Sequence, residues 1–502
     1  MGFCRFAWVT GLTVSTISAN LRRPENKFWF ACHAMETCTR RRVLLPVLIA
    51  GFALMQAGHV RAQIFTNLYN FTGGSDGGAP YATLLLLGNT LYGTTEKGGT
   101  GVGTVFRINT NGTGFTNLYS FTGGGDGANP AAGLTLSSNI LYGTANRGGS
   151  SGGGTVFAVN TDGTGFTVLH TFTAPTTNSS GIYTNSDGFW PSAVLLLSSN
   201  ILYGAAKRGG SSGWGTLFRI NTDGTGFTNL HNFTGGTLDG GYPNELISPG
   251  DNLYGTAQYG GVSGGHDGTV FKINGDGTGF MSLHGFSQVS ELSPYTNSDG
   301  ANPIAGLVIS GDVLYGTTPE GGSTGNGTVF KVNTDGTGFA NLHDFTYNDG
   351  SQPNAGLILS GSKLYGTTFI GGSSGYGTVY EVNTDGTGFA DLHGFAGSDS
   401  AHPSASLVLS GNTLYGTASG SSTSGNGTVF SIFIQPELTL IPSGANVILT
   451  WPTNAVGFSL QSTANLLSPV WATNYPAPVV VSGQNTVTNP ISGTQQFYRL
   501  IQ

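Results

Sequence analysis

Nine histidines and 25 acidic residues are the groups in this 502-residue chain that could move protons or hold a metal, and their placement is strongly patterned. His170, His231, His284, His343 and His393 share one position of a recurring segment, where Tyr69 and Tyr119 also occur. Interchange with tyrosine speaks for packing and against a metal centre. Seven aspartates, from Asp76 to Asp399, each stand four residues before a proline. Catalysis needs an asymmetric constellation with separated pKa values, so this repetition reads instead as an Asp capping its own turn. His266-Asp267 is the one acid–base pair peculiar to a single copy; with Glu96 and Glu320 it forms the candidate catalytic set for a polysaccharide hydrolase or lyase. Asn-Thr-Asp-Gly-Thr-Gly lacks the further acidic ligands of a calcium loop and reads as a hairpin turn. Gly-x-Ser-x-Gly recurs in the glycine-rich loops, as at 148–152 and 371–375, but no helix follows to make it a nucleophile elbow; Cys32-His33 precedes the repeats, and no HExxH or phosphate loop occurs, so no metal and no cofactor are expected.

A second set could bind rather than react. Phe189, Trp190, Trp214, Tyr242, Tyr259 and Tyr376 occupy positions that differ between copies, as do Tyr183 and Tyr295 in two longer loops. Flat rings on one face suit stacking on a sugar or a peptide; the competing reading is that they cover loops or line a channel. Lys97, Arg147, Lys207 and Arg208 precede a double glycine in the first three copies, where later ones have Tyr259, Glu320 and Ile370. Such a basic arc could receive a carboxylated or sulfated glycan, or be merely a solvated loop.

The elements that must position these residues repeat seven times. Leu-Tyr-Gly-(Thr/Ala) has its tyrosine at Tyr92, Tyr142, Tyr203, Tyr254, Tyr315, Tyr365 and Tyr415, in steps of 50, 61, 51, 61, 50 and 50 residues. Each is followed by Gly-Thr-(Val/Leu)-(Phe/Tyr) and an aromatic-x-x-Leu-x-x-Phe-like segment. In the second copy the alternation predicts strands at 133–136, 140–145, 154–160 and 166–172, joined by Ser-Ser-Asn and Asp-Gly turns. Four antiparallel strands per repeat predict an all-β, seven-bladed β-propeller. The repeat region opens on an outer-type strand at 65–71 and ends its last repeat without one, so this N-terminal strand is expected to close the last blade and remove an exposed edge. The 84 glycines fit this reading, whereas collagen periodicity and a helical bundle are excluded. The long loops, including both longer insertions, fall on one face, where function on a rigid scaffold is expected.

Residues 1–34 read as an over-extended start. Residues 35–62 read as a signal peptide, with Arg40–Arg42 as basic region, an apolar run over 43–57 and a Val60-Arg61-Ala62 cleavage pattern. All three cysteines precede that site. Removing residues 1–62 leaves 10 basic and 23 acidic residues, a net charge of −13 against −7 for the whole chain. The expectation is an exported monomer in the periplasm, on the surface or outside a bacterium. It would have no nucleic-acid partner and no transmembrane segment in the mature chain, and a glycan or cell-surface protein as its partner.

The Leu-Tyr-Gly-Thr…Gly-Gly…Gly-x-Gly-Thr-Val-Phe pattern resembles the GloVer tandem repeat of bacterial exported proteins, over about residues 64–433. The resemblance implies export and brings no activity or catalytic residues. The propeller is expected over 63–434. The remainder, 435–502, carries Trp451 and Trp471 and five short strand patterns, and is similar to a truncated fibronectin-III-like sandwich.

Overall fold

A computed structural model describes residues 5–10, 13–18, 63–237, 239–261, 267–420, 425–436, 438–453, 457–465, 469–473, 476–481, 484–490 and 496–501. The expected signal peptide, all three cysteines and His266 lie outside the described residues. Two compact units result: Gln63–Ile434, and Met1–Ala62 together with Gln435–Gln502.

Within Gln63–Ile434 the repeats form seven antiparallel sheets of four or five strands. The second sheet runs Thr135–Ser137, Ile140–Ala145, Thr155–Asn160 and Thr167–Thr171, in sequence order. Its first strand is shorter than the alternation predicts. The strand carrying Leu-Tyr-Gly has five consecutive buried residues in every sheet, and its glycine is sterically required. A Cβ on Gly255 would stand 2.7 Å from Phe271 Cζ and 2.9 Å from Leu246 Cδ2, so the ring can lie on bare backbone. The third and fourth strands slip register at the same place, as between Val156 and Phe157 opposite Val168 and His170. This bulge re-aims the outer strand, which carries the histidines.

What joins the sheets is apolar. Tyr92, Val105 and Phe121 of the first sheet pack on Leu134, Leu141, Phe157 and Val159 of the second. The same pattern recurs around the series and ends with Tyr415 and Val429 of the last sheet, with Phe71, against Leu84, Leu91, Phe106 and Ile108 of the first. Hydrogen bonds repeat the cycle: Thr94 Oγ1 donates to Ala132 O at 3.0 Å, Thr317 to Ala355 O at 2.9 Å, and Thr417 to Ala82 O at 3.1 Å. Ile64–Asn70 is the outer strand of the last sheet, pairing with Thr428–Phe433 from Ile64 opposite Phe433 to Asn70 opposite Thr428. The first and last repeats are therefore tied both by a shared sheet and by a shared core.

The second unit has two four-stranded sheets. One is ordered Thr439–Ser443, Asn446–Pro452, Gln484–Pro490, Val479–Val481; the other pairs Phe497–Ile501 with Ser459–Thr463 and with Arg5–Thr10, which pairs in turn with Thr13–Ser18. Val447, Leu449, Trp451, Leu460, Val487, Tyr498 and Leu500 form its core.

The sixth sheet breaks one rule of the repeat: Tyr380 stands where the other copies have phenylalanine, and its buried hydroxyl has no hydrogen-bond partner. Tyr380→Phe is expected to raise unfolding stability by about 1 kcal/mol, because a desolvated hydroxyl is removed and its shape kept; denaturant unfolding of the two proteins measures this. Deleting residues 63–70 is expected to do the opposite and strongly, exposing the edge at Thr428–Phe433. A melting temperature unchanged by that deletion is incompatible with this closure.

Candidate functional site

Each passage from one sheet to the next is built on a carboxylate. Asp76, Asp126, Asp187, Asp239, Asp299, Asp349 and Asp399 accept a backbone N–H from the end of the preceding outer strand at 2.7–3.1 Å. The turn-capping expectation holds, with a partner the sequence did not show. Each Asp also takes a hydrogen bond from the ring of that strand: Tyr69 and Tyr119 through their hydroxyls at 3.2 and 3.1 Å, and the five histidines through Nε2 at 2.9–3.2 Å. The same rings stack on the next repeat's phenylalanine, with centroids 3.7–4.2 Å apart, from Tyr69–Phe115 to His343–Phe389. The seventh such stack is His393 on Phe65, from the closing strand. The histidines and aspartates are thus joints between repeats.

Beyond each carboxylate lies a turn with left-handed backbone. The residue before each proline has positive φ: Ala79 (52°), Asn129 (54°), Trp190 (61°), Tyr242 (58°), Asn302 (58°), Gln352 (56°) and His402 (58°). Its N–H donates to a carbonyl of the preceding repeat, as Trp190 to Gly153 at 2.9 Å and Tyr242 to Trp214 at 2.7 Å. Seven equivalent positions therefore form a rim whose backbone is fixed and whose side chains differ. The sequence reading found Trp190 and Tyr242 as variable aromatics and missed their equivalence with Asn129, Asn302, Gln352 and His402. The signal was available as the residue before each repeated proline.

The rim's third and fourth positions carry a continuous array. The guanidinium carbons of Arg147 and Arg208 lie 5.2 and 5.0 Å from the centre of the Trp190 ring, and Arg208 lies 4.9 Å from that of Tyr242. Tyr242 meets Trp214 at 5.3 Å and Tyr259 edge-on at 4.8 Å. Burial, then the charges of Tyr242 and Glu320, push the Tyr259 hydroxyl up, while Arg208 opposes them. Arginine over an aromatic face contributes about 0.5–1 kcal/mol when exposed and more when desolvated.

Other predicted residues go elsewhere. Phe189 is only 3% exposed; it pairs with Arg208 across the ladder and lies against Gly209, so it supports Trp190 and presents nothing itself. Trp214 is half-buried over Gly235, where an added Cβ would come within 2.4 Å of its ring. Tyr376 is exposed on the sixth repeat, beside His402. Lys97 is exposed on the first, and Lys207 turns from Arg208 to line an axial cavity. Of the candidate acids, Asp267 is 4% exposed and takes the Val289 N–H, Glu320 accepts from Asn302 Nδ2 at 2.7 Å, and Glu96 stands half-buried on the first sheet. Among the described residues no helix is long and apolar enough to cross a membrane.

This arrangement of four-stranded antiparallel sheets is all-β and propeller-like. The model of the Gloeobacter/Verrucomicrobia repeat matches residues 55–188, 174–297 and 287–443, and the chain belongs to that family. No curated protein matches it. An oligogalacturonate lyase from Vibrio parahaemolyticus is 12% identical over 74% of this chain and 93% of its own, with a TM-score of 0.45. A putative 6-phosphogluconolactonase from Bacteroides uniformis is 14% identical over 79% and 94%, with a TM-score of 0.40. TolB from Acinetobacter baumannii is 13% identical over 57% and 58%, with a TM-score of 0.32. Similarity at this level carries nothing about activity.

The joints make stability sensitive to acid in two steps. Burial holds His343 and His393 below the usual imidazole range, against the pull of Asp349 and Asp399. The unfolded chain therefore takes up their protons first, and stability falls as pH drops below about 6.5. Burial pushes Asp187, Asp239 and Asp299 up, but hydrogen bonds from histidine and from Thr or Ser outweigh it and leave them below the usual carboxylate range. Their contribution is complete above about pH 4 and lost as pH falls through the lower folded-state values. Melting temperature against pH should show both declines; His343→Tyr with His393→Tyr, which copies the solution used at Tyr69 and Tyr119, should remove the first.

Proposed function

We propose that the chain is an exported seven-bladed β-propeller that retains a carbohydrate of a cell surface on its rim, stacked on Trp190 and Tyr242 and flanked by Arg147 and Arg208. Its C-terminal residues would form a small β-sandwich-like accessory module. The seven sheets, the closing strand and the cleavage pattern before residue 63 support this reading.

The observation that carries it is backbone conformation. All seven rim positions are left-handed, which asparagine tolerates and a bulky residue adopts only as an outlier. Holding a non-glycine residue there costs of order 1–3 kcal/mol, a strain that clusters at binding sites. Asn129 and Asn302 show the inexpensive solution within this same chain. Trp190 and Tyr242 take the expensive one at adjacent positions, with two arginines drawn to their faces. Rings presented rigidly and guanidinium groups suited to carboxylate or sulfate fit an acidic glycan.

Affinity electrophoresis of the full chain through gels containing pectate, alginate or hyaluronan tests this. Trp190→Asn with Tyr242→Asn is expected to weaken retention by at least about tenfold, a loss near 1.4 kcal/mol, with an equal or higher melting temperature. Retention unchanged in this variant, or a melting temperature that falls along with it, would make the rings structural.

A further inference from the structure

Inside the rim, on the axis of the seven sheets, lies a cavity of about 320 Å³ lined by residues from every repeat. It exists because its wall is made small. Two residues before the leucine of each first strand stand Ala82, Ala132, Ala193, Ala305, Ala355 and Ala405; only the fourth repeat departs, with Asn244. That repeat is also one residue shorter between its proline and this leucine, and its register shifts between Pro243 and Leu246.

The shortened repeat puts Glu245 where the others have Thr, Gly, Val or Ser, with its Oε2 2.8 Å from the place of a Cβ on Gly306. From the neighbouring third repeat comes Lys207, two residues after Ala205, the alanine that replaces threonine in Leu-Tyr-Gly-Thr. Glu245 and Lys207 are the charged residues among those lining the cavity. Ser404, also on the wall, has a buried hydroxyl with no hydrogen-bond partner. Residues bearing a carboxyl and an ammonium thus line one volume, with a buried, unanswered hydroxyl in its wall, at the small end of the ~300–1,000 Å³ typical of small-molecule sites.

We propose that this axial cavity is a binding site, separate from the rim array, for a single small hydroxylated carboxylate such as a sugar acid. The ligand's carboxylate would meet Lys207, and its hydroxyls would meet Glu245 and Ser404. Burial pushes the Glu245 carboxyl up to about 7 and, with the charge of Arg208, draws the Lys207 ammonium down. The other titratable residues lining the cavity are Lys207 and Tyr81. On the acid side of its titration Glu245 is neutral and donates a hydrogen bond; on the alkaline side its charge repels an anionic ligand. Affinity for a carboxylate therefore falls as pH rises through that value.

Calorimetric titration of the full chain with D-glucuronate and with D-glucose, one pH unit on either side of the Glu245 value, tests the proposal. Glucuronate is expected to bind at least about tenfold more tightly than glucose, and more tightly on the acid side. Lys207→Met should abolish the preference for the acid, Lys331→Met should keep it, and Glu245→Gln should hold affinity level with pH. Should Lys207→Met fail to fold, glucuronate must protect Lys207 of the unaltered chain from reductive methylation. Equal binding of the two sugars, a preference that survives Lys207→Met, or Lys207 labelled equally with and without glucuronate would each overturn the assignment.

Discussion

The molecule hangs on a carboxylate at each crossover. Asp187 and its six equivalents tie the end of one sheet's outer strand to the turn that opens the next, and recruit the ring that stacks onto the following repeat. One side chain thereby fixes the direction of the chain, the spacing of neighbouring sheets and the left-handed turn of the rim. Apolar packing supplies most of the stabilisation, but it is non-directional. The carboxylate and its partners give that packing an orientation, repeated at every junction. Rim side chains can vary freely because the backbone beneath them is set elsewhere.

Regularity made the scaffold legible. Each position of the repeat is sampled seven times, so alternation, glycine and turn signals that are weak singly become strong together. The Leu-Tyr-Gly strand, the Gly-Thr-Val-Phe strand and the closing role of the N-terminal strand were all readable in this way. The pairing of His170 with Asp187 was not, because the two lie 17 residues apart and meet only when the outer strand bulges and the loop folds back. Phe189 misled because it was read together with Trp190: the two neighbours point to opposite sides, Trp190 outward from its left-handed turn and Phe189 inward, where it is 3% exposed.

The candidate sites sit where repetition fails. The third repeat loses the threonine that bridges sheets and gains Lys207; the fourth loses a residue and gains Glu245 and Asn244. Asn244 hydrogen-bonds Pro303 O at 2.9 Å and Thr256 Oγ1 at 3.2 Å, adding to the Thr256–Ala305 O bridge between the fourth and fifth repeats. The two aromatic rim positions belong to these same repeats. Local departures from a consensus that six other copies keep are informative because the other copies show what the fold alone requires.

Closure by the N-terminal strand has a consequence for how the chain folds. Asn426 Nδ2 donates to Thr72 O across a sequence separation of 354, and Ile64–Asn70 waits for a partner that lies at the other end of the unit. The entropy of bringing such distant segments together grows only slowly with their separation. Yet it must be met before the last sheet gains its stability, so the final step is expected to be slow. Until the last repeat has emerged from the ribosome, the first strand has no sheet to join. A chain interrupted before Thr428 keeps two open edges, and only one that reaches through Phe433 can seal itself fully.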